Sequence, residues 1–294
     1  MRPEDVIERV WPGAAYSFEP LGGGITNHNY MVQVGGESFV VRIGGQDTEL
    51  LGIDRQAESA AARMAASVGV GPEVIAFVEP EGCLVTRFVP GHPVPPERMR
   101  SPDVIARVAR SVRAIHDGAL IPAQFDSHQV VRTYARTARE RGVAPPEDYG
   151  WAIEVADLIA AARGPQPHVP CHNDLLNANF IDDGERVRIV DWEYAGMGDR
   201  FFDLGNFSVK HDYGLEEERA LLNAYSGQVS DRDLAAIRVM RFMGAFFEAM
   251  WGVVQQAIST LDFDYKAYAQ ENFDRLHAIE SDAEWDEWLA GASR

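Results

Sequence analysis

His172-Asn173-Asp174-Leu175-Leu176-Asn177-Ala178-Asn179, followed by Ile189-Val190-Asp191-Trp192-Glu193, is the stretch on which the fold of this chain turns. Between its halves, Asn179–Ile181 and Val187–Val190 read as short strands around Asp182-Asp183-Gly184. A lone His-x-Asp requires no more than an Asp capping a loop. An Asp, an Asn five residues later and a second Asp twelve residues beyond, with strand, turn and strand between, is far more specific. Phosphoryl transfer needs a carboxylate to orient and deprotonate a hydroxyl, plus an amide oxygen and a second carboxylate to hold Mg²⁺ against nucleotide phosphates. Asp174 is the candidate base, and Asn179 and Asp191 are the candidate metal ligands.

Upstream, the first 90 residues alternate in β-like runs at Tyr16–Phe18, Tyr30–Val34, Phe39–Ile43, Val74–Val78 and Leu84–Val89, with Gly35-Gly36 as a hairpin turn that tolerates positive φ. One Ala-rich helix interrupts them, from about Arg55 to Ser67, with Asp54 as its N-cap and Gly69-Val70-Gly71-Pro72 as its stop. The Pro-rich crossover Pro90-Gly91-His92-Pro93-Val94-Pro95-Pro96 then marks a lobe boundary. Helical periodicity follows over 102–116, 129–141, 150–162, 216–225, 231–260 and 265–279. The expected architecture is α+β and two-lobed: residues 1–90 a small antiparallel sheet with one helix, residues 91–294 a larger, mostly helical lobe.

Gly22-Gly23-Gly24-Ile25-Thr26-Asn27 lies between the first two strands, where a loop can offer the backbone of Gly23, Gly24, Thr26 and Asn27 to phosphates. Alone it would pass for a glycine turn, and the strand-like Asn29-Tyr30-Met31-Val32 that follows excludes a Rossmann reading. Arg42 ends the next strand and Glu58 sits on the following helix, placed for an ion pair that would hold a basic residue against the α/β phosphates.

Composition narrows the function classes. The 294 residues, 46% apolar and 24% charged, suit a globular chain of about two lobes. A formal charge of −18, from 45 Asp+Glu against 27 Lys+Arg, repels nucleic acid and anionic membranes and attracts a small cation. Lys210 and Lys266 are the sole lysines, so an enzyme needing a buried lysine has almost none to choose from. Two cysteines, no apolar run of membrane-spanning length and an acidic N-terminus without a signal-peptide core predict a reduced, cytoplasmic protein. His116 reads as a hydrogen-bonded helix-end histidine, Cys171 as packing, and Glu216-Glu217-Glu218-Arg219 as a solvated helix start.

Together these motifs resemble the choline/ethanolamine kinase family, a branch of the aminoglycoside-phosphotransferase group with a protein-kinase-like fold, from about Leu21 to about Phe273. The resemblance rests on Leu21-Gly22-Gly23-Gly24-Ile25-Thr26-Asn27-His28-Asn29-Tyr30, Val41-Arg42-Ile43-Gly44-Gly45, Cys171-His172-Asn173-Asp174 and Val190-Asp191-Trp192-Glu193-Tyr194-Ala195-Gly196. It implies ATP and Mg²⁺ as cofactors, adenine at the backbone of Arg87, Phe88 and Val89, structural support from His172, and an Asp203 that buttresses the catalytic loop. Glu193 becomes a further carboxylate for metal or acceptor.

The resemblance extends to Met250–Ser259 and Asp262–Gln270, segments that separate the family from aminoglycoside kinases. It implies that Trp251, Phe263 and Tyr268 wall a small cationic amino alcohol, since a trimethylammonium has no N–H and is held by ring faces and carboxylates. Glu248 stands where animal choline kinases carry a second Trp, and a carboxylate suits an ammonium that can donate hydrogen bonds. The expected activity is transfer of the γ-phosphoryl of ATP to choline first and ethanolamine second. The alternatives are a kinase of an aminoglycoside, a sugar or homoserine, and a pseudokinase that binds without turnover; oligomeric state stays open.

Overall fold

A computed structural model describes residues 1–22, 27–45 and 48–292. Helix α1 (Pro3–Val10) precedes strands β1 (Tyr16–Leu21), β2 (Asn27–Val34) and β3 (Glu37–Gly44), helix α2 (Arg55–Ser67), and strands β4 (Val74–Val78) and β5 (Cys83–Arg87). The strands form one antiparallel sheet in the order β1-β2-β3-β5-β4. Gly35 and Gly36, at φ 60° and 84°, make the β2–β3 turn, a conformation other residues adopt at a cost. Asp54 caps α2 by accepting from the N–H groups of Gln56 (2.8 Å) and Ala57 (3.1 Å). The N-terminal part therefore has two helices where the sequence suggests one. Helix α1 is only 8 residues long, but its Val6 and Ile7 are fully buried against Val32, Phe39, Val41 and Val85.

His92–Pro93 (β6) leaves the sheet and pairs with a hairpin far along the chain, β8 (Phe180–Asp182) and β9 (Val187–Ile189). Between them run α3 (Pro102–His116), α4 (Ser127–Glu140), α5 (Tyr149–Arg163) and β7 (His168–Cys171). Strand β10 (Gly196–Asp199) pairs antiparallel with β7, Gly196 opposite Cys171, which draws the residues after Cys171 alongside those before Gly196. Helices α6 (Arg200–Lys210), α7 (Leu215–Ser226), α8 (Asp231–Ile258), α9 (Tyr265–Glu280) and α10 (Trp285–Gly291) complete the chain. Neither the β7–β10 pair nor α1, α6 and α10 is evident from sequence periodicity. None of the described helices is long and apolar enough to cross a membrane.

One apolar cluster joins the two parts, with Ala61 and Ala65 of α2, Val108 and Ile115 of α3, Phe180 and Ile189 of the hairpin, and Leu204 of α6. A second lies among α4, α5, α8 and α9, around Tyr134, Ile159, Phe246 and Phe273. The acidic start of α7 corrects its solvated reading. Glu218 is fully buried, its carboxylate 2.6 Å from Arg238 and 2.7 Å from Arg241, because α7 turns this face onto α8. Glu217 caps α7 at the Gly214 N–H and pairs with Arg100.

Candidate active site

Asp203, buried one turn into α6, organises the loop after β7. Its Oδ2 accepts from the His172 N–H (2.8 Å) and its Oδ1 from the Asn173 N–H (2.6 Å). His116 Nε2 lies 3.1 Å from the same Oδ2 and His116 Nδ1 2.8 Å from the Tyr225 hydroxyl, so this histidine is hydrogen-bonded at the end of its helix. His172 accepts at Nδ1 from the Asp174 N–H (3.2 Å), which leaves Nε2 as the donor to the Val190 carbonyl (2.9 Å). Asn173 takes φ 68°, a left-handed conformation paid for by its two anchors, the N–H on Asp203 and the side-chain donation to the Tyr194 carbonyl (2.9 Å). The result presents Asp174 beside Asn179, whose Nδ2 donates to the Asp174 carbonyl (2.9 Å) and Oδ2 (3.2 Å).

The Asn179 carbonyl accepts from the Val190 N–H (3.0 Å), so hairpin pairing brings Asn179 next to the chain leading into Asp191. Asp191, at φ 68°, turns out of the β9 direction toward Arg42. Arg42 uses its fork on two carboxylates, Glu58 Oε1 at 2.7 Å and Asp191 Oδ1, with Glu193 at 3.9 Å. Burial works against the Arg42 charge, but Asp191, Glu58 and Glu193 outweigh it and raise its pKa above the ordinary guanidinium value. With the Asn179 Nδ2 engaged by Asp174, its Oδ1 and the Asp191 carboxylate are the hard oxygen donors that Mg²⁺ prefers, and the pair fits that ion.

The expected Arg42–Glu58 ion pair is part of a larger network. Arg55 reaches Glu58 (2.6 Å), Glu193 (3.3 Å) and Asn27 Oδ1 (3.0 Å), and Asn27 Nδ2 donates to Glu193 (2.9 Å). Glu193 thus keeps company with Asn27, Arg42 and Arg55, on the side of the sheet and α2. Gly23, Gly24 and Thr26 lie outside the described residues. At the other expected nucleotide contact, the Arg87 N–H donates to the Glu73 carbonyl (2.8 Å) and the Phe88 N–H to the Ser38 carbonyl (3.0 Å), while the Arg87 side chain pairs with Glu37 and Glu73. Val89 follows at the sheet's exit, partly buried.

On the far side of Asp174 stands a residue not foreseen as part of the site, Lys210 at the last position of α6. Its Nζ is 2.7 Å from Asp174 Oδ1 and 2.8 Å from Glu248 Oε1, and its side chain is 5% exposed. Burial opposes both charges of the Asp174–Lys210 pair, but their attraction prevails, holding the Asp174 carboxyl below the usual carboxylate range and the Lys210 ammonium above its own. Glu248 Oε2 accepts from the Tyr268 hydroxyl, and burial followed by the Glu248 charge pushes that phenol up. Tyr268 meets Trp251 edge-to-face at 5.7 Å, as does Tyr265, and Trp251 donates its indole N–H to the Tyr194 hydroxyl (3.1 Å). Phe263, 47% exposed, closes the group against Tyr265 (4.8 Å) and Tyr268 (6.0 Å). The structure therefore gathers Trp251, Phe263 and Tyr268 with Glu248 and adds Tyr265 and Tyr194. Scarcity was the one sequence signal for Lys210. Arg55 gave none, being one basic residue at the start of a helix.

Residues 17–241 match the phosphotransferase enzyme family. Human ethanolamine kinase 1 is 26% identical over 314 residues, spanning 90% of this chain and 68% of that protein. Among solved structures, a choline/ethanolamine kinase family protein from Mesorhizobium loti superposes with a TM-score of 0.84 at 30% identity, covering 100% of this chain and 99% of that one. A choline kinase from Streptococcus pneumoniae shares the fold with a TM-score of 0.77 at 22% identity, over 94% of this chain and 97% of the other.

Proposed function

Because the chain belongs to the phosphotransferase enzyme family and, within it, to the choline/ethanolamine kinase family, we propose that it transfers the γ-phosphoryl group of ATP to the hydroxyl of a small amino alcohol, choline or ethanolamine. The observation that carries this reading is an unbroken run of side-chain contacts from Asp174 through Lys210, Glu248 and Tyr268 to Trp251. It joins a candidate base to an aromatic surface suited to a cation.

Residues 1–90 are the nucleotide-binding lobe in this proposal and 91–294 the catalytic and acceptor-binding lobe. Asp174 accepts the acceptor's hydroxyl proton as its oxygen attacks the γ-phosphorus, the bond from that phosphorus to the β–γ bridging oxygen breaks, and ADP departs with the electron pair. Arg42, fixed by Glu58, turns part of its fork from Asp191 to the α/β phosphates when nucleotide arrives. Gly23, Gly24, Thr26 and Asn27 cover those phosphates, and adenine lies along Arg87–Val89. Asn179 and Asp191 would hold Mg²⁺, which when bound neutralises phosphate charge. Trp251, Tyr268 and the more exposed Phe263 wall the acceptor, while Glu193 tightens the Arg55–Asn27 corner.

ADP release, followed over choline, ethanolamine, an aminoglycoside set and small sugars, tests the proposal. Turnover is expected with the amino alcohols; turnover confined to sugars or aminoglycosides overturns it.

A further inference from the structure

Lys210 is the feature of the site that neither the phosphoryl-transfer chemistry nor the aromatic wall calls for. Every other buried ion pair named here uses arginine, and two lysines among 27 basic residues leave 27 − 2 = 25 arginines. A planar guanidinium grips a carboxylate by its fork, whereas a compact ammonium suits a gap between two single oxygens. Lys210 fills such a gap, with Asp174 Oδ1 at 2.7 Å on one side and Glu248 Oε1 at 2.8 Å on the other.

We infer that Lys210 sets acceptor selectivity by acting as a resident cation, occupying the place on Glu248 that the ammonium of the acceptor would otherwise take. The inference rests on the kinase reading above. In a two-carbon amino alcohol one C–C bond separates the hydroxyl-bearing and amine-bearing carbons. An acceptor whose hydroxyl meets Asp174 therefore brings its ammonium to the region Lys210 Nζ already holds. Without Lys210, two carboxylates would face that ammonium; with it, the net local charge falls from −2 to −1, and Glu248 has one oxygen on Lys210 and the other on the Tyr268 hydroxyl. Acceptor binding then leans on the faces of Trp251 and Tyr268, contacts indifferent to whether the nitrogen carries hydrogens or methyl groups. The resident cation thereby narrows the advantage that Glu248 would give ethanolamine over choline.

Initial rates at saturating ATP with Lys210→Met, Glu248→Gln and the double variant, on ethanolamine and choline, decide the matter. Lys210→Met is expected to lower the ethanolamine KM about tenfold, the worth of one charge-assisted hydrogen bond to a freed carboxylate, and the choline KM much less. The gain should vanish in the double variant. A merely structural lysine would depress kcat for both acceptors and lower neither KM. Lys210→Met leaves two buried carboxylates facing one another, so Glu248→Gln provides a test independent of its folding. Because the Glu248 charge is already paired, Glu248→Gln should shift the ethanolamine KM by less than about threefold. An ethanolamine KM unchanged or raised in Lys210→Met, or raised about tenfold in Glu248→Gln, overturns the inference while leaving the kinase reading intact. A wild-type protein that phosphorylates no amino alcohol overturns the kinase reading and the inference with it.

Discussion

Asp174 has both carboxylate oxygens engaged before any substrate arrives, Oδ1 by Lys210 and Oδ2 by Asn179. It is thereby poised as an ionised, oriented base whose contribution falls on the acceptor and not on ATP. Asp174→Asn should reduce kcat by about 10²–10⁴-fold with nucleotide affinity nearly unchanged, as initial rates and calorimetric titration of ATP will show. A variant keeping a third of the wild-type rate removes Asp174 from the chemistry. Asp191→Ala should act on the opposite quantity, weakening Mg·ATP binding, and unaltered affinity in the same titration would reassign the metal ligand. Asp174, Asn179 and Asp191 are legible in the sequence because a single hairpin spaces them, so their pattern is local. Lys210 is 36 residues from Asp174 and reaches it only through the packing of α6, which no local pattern encodes.

Helix α6 carries Asp203 near its start and Lys210 at its end, so its seating on α8 governs both the loop anchor and the resident cation. That seating depends on absent side chains. A Cβ added at Gly205 would lie 2.7 Å from the Met240 carbonyl carbon, and one at Gly244 would lie 2.8 Å from the Asn206 Cα. Gly205→Ala is therefore expected to destabilise the protein by about 1–3 kcal/mol in urea unfolding, despite the better helix propensity of Ala. An unchanged midpoint would show that the two helices can part at no cost. The same glycine helps to explain why α6 escapes a reading of the sequence. Gly205, Asn206 and Ser208 dilute its helical pattern, and what starts it is the Asp199 side chain accepting from the Phe201 N–H at 2.9 Å. By contrast α2 is legible to the residue, from its Asp54 cap to its glycine stop, because its signals are contiguous and its small residues need no particular partner.

Across the whole molecule, the cluster shared by α2, α3, the β8–β9 hairpin and α6 makes the nucleotide and acceptor sides one packed body, so the site responds to global stability. His211, just past α6, lies among Phe180, Phe207 and Tyr213, with its Nε2 3.1 Å from the Leu175 carbonyl. Burial lowers its pKa from 6.5 to about 4. The unfolded chain then binds the extra proton between those values. Stability is full above about pH 6.5 and declines as pH falls toward 4, by on the order of 3 kcal/mol. His211→Gln should flatten urea midpoints over that window; a slope as steep as that of the wild type would assign the loss to other groups. The rarity of lysine has an analytical consequence as well. Lys266 is exposed on α9 while Lys210 is almost wholly enclosed, so in the folded protein an amine-acylating reagent has one lysine to modify. The mass tag on Lys210 becomes a clock for the opening of its clasp, with the modification of Lys266 as an internal standard within the same molecule.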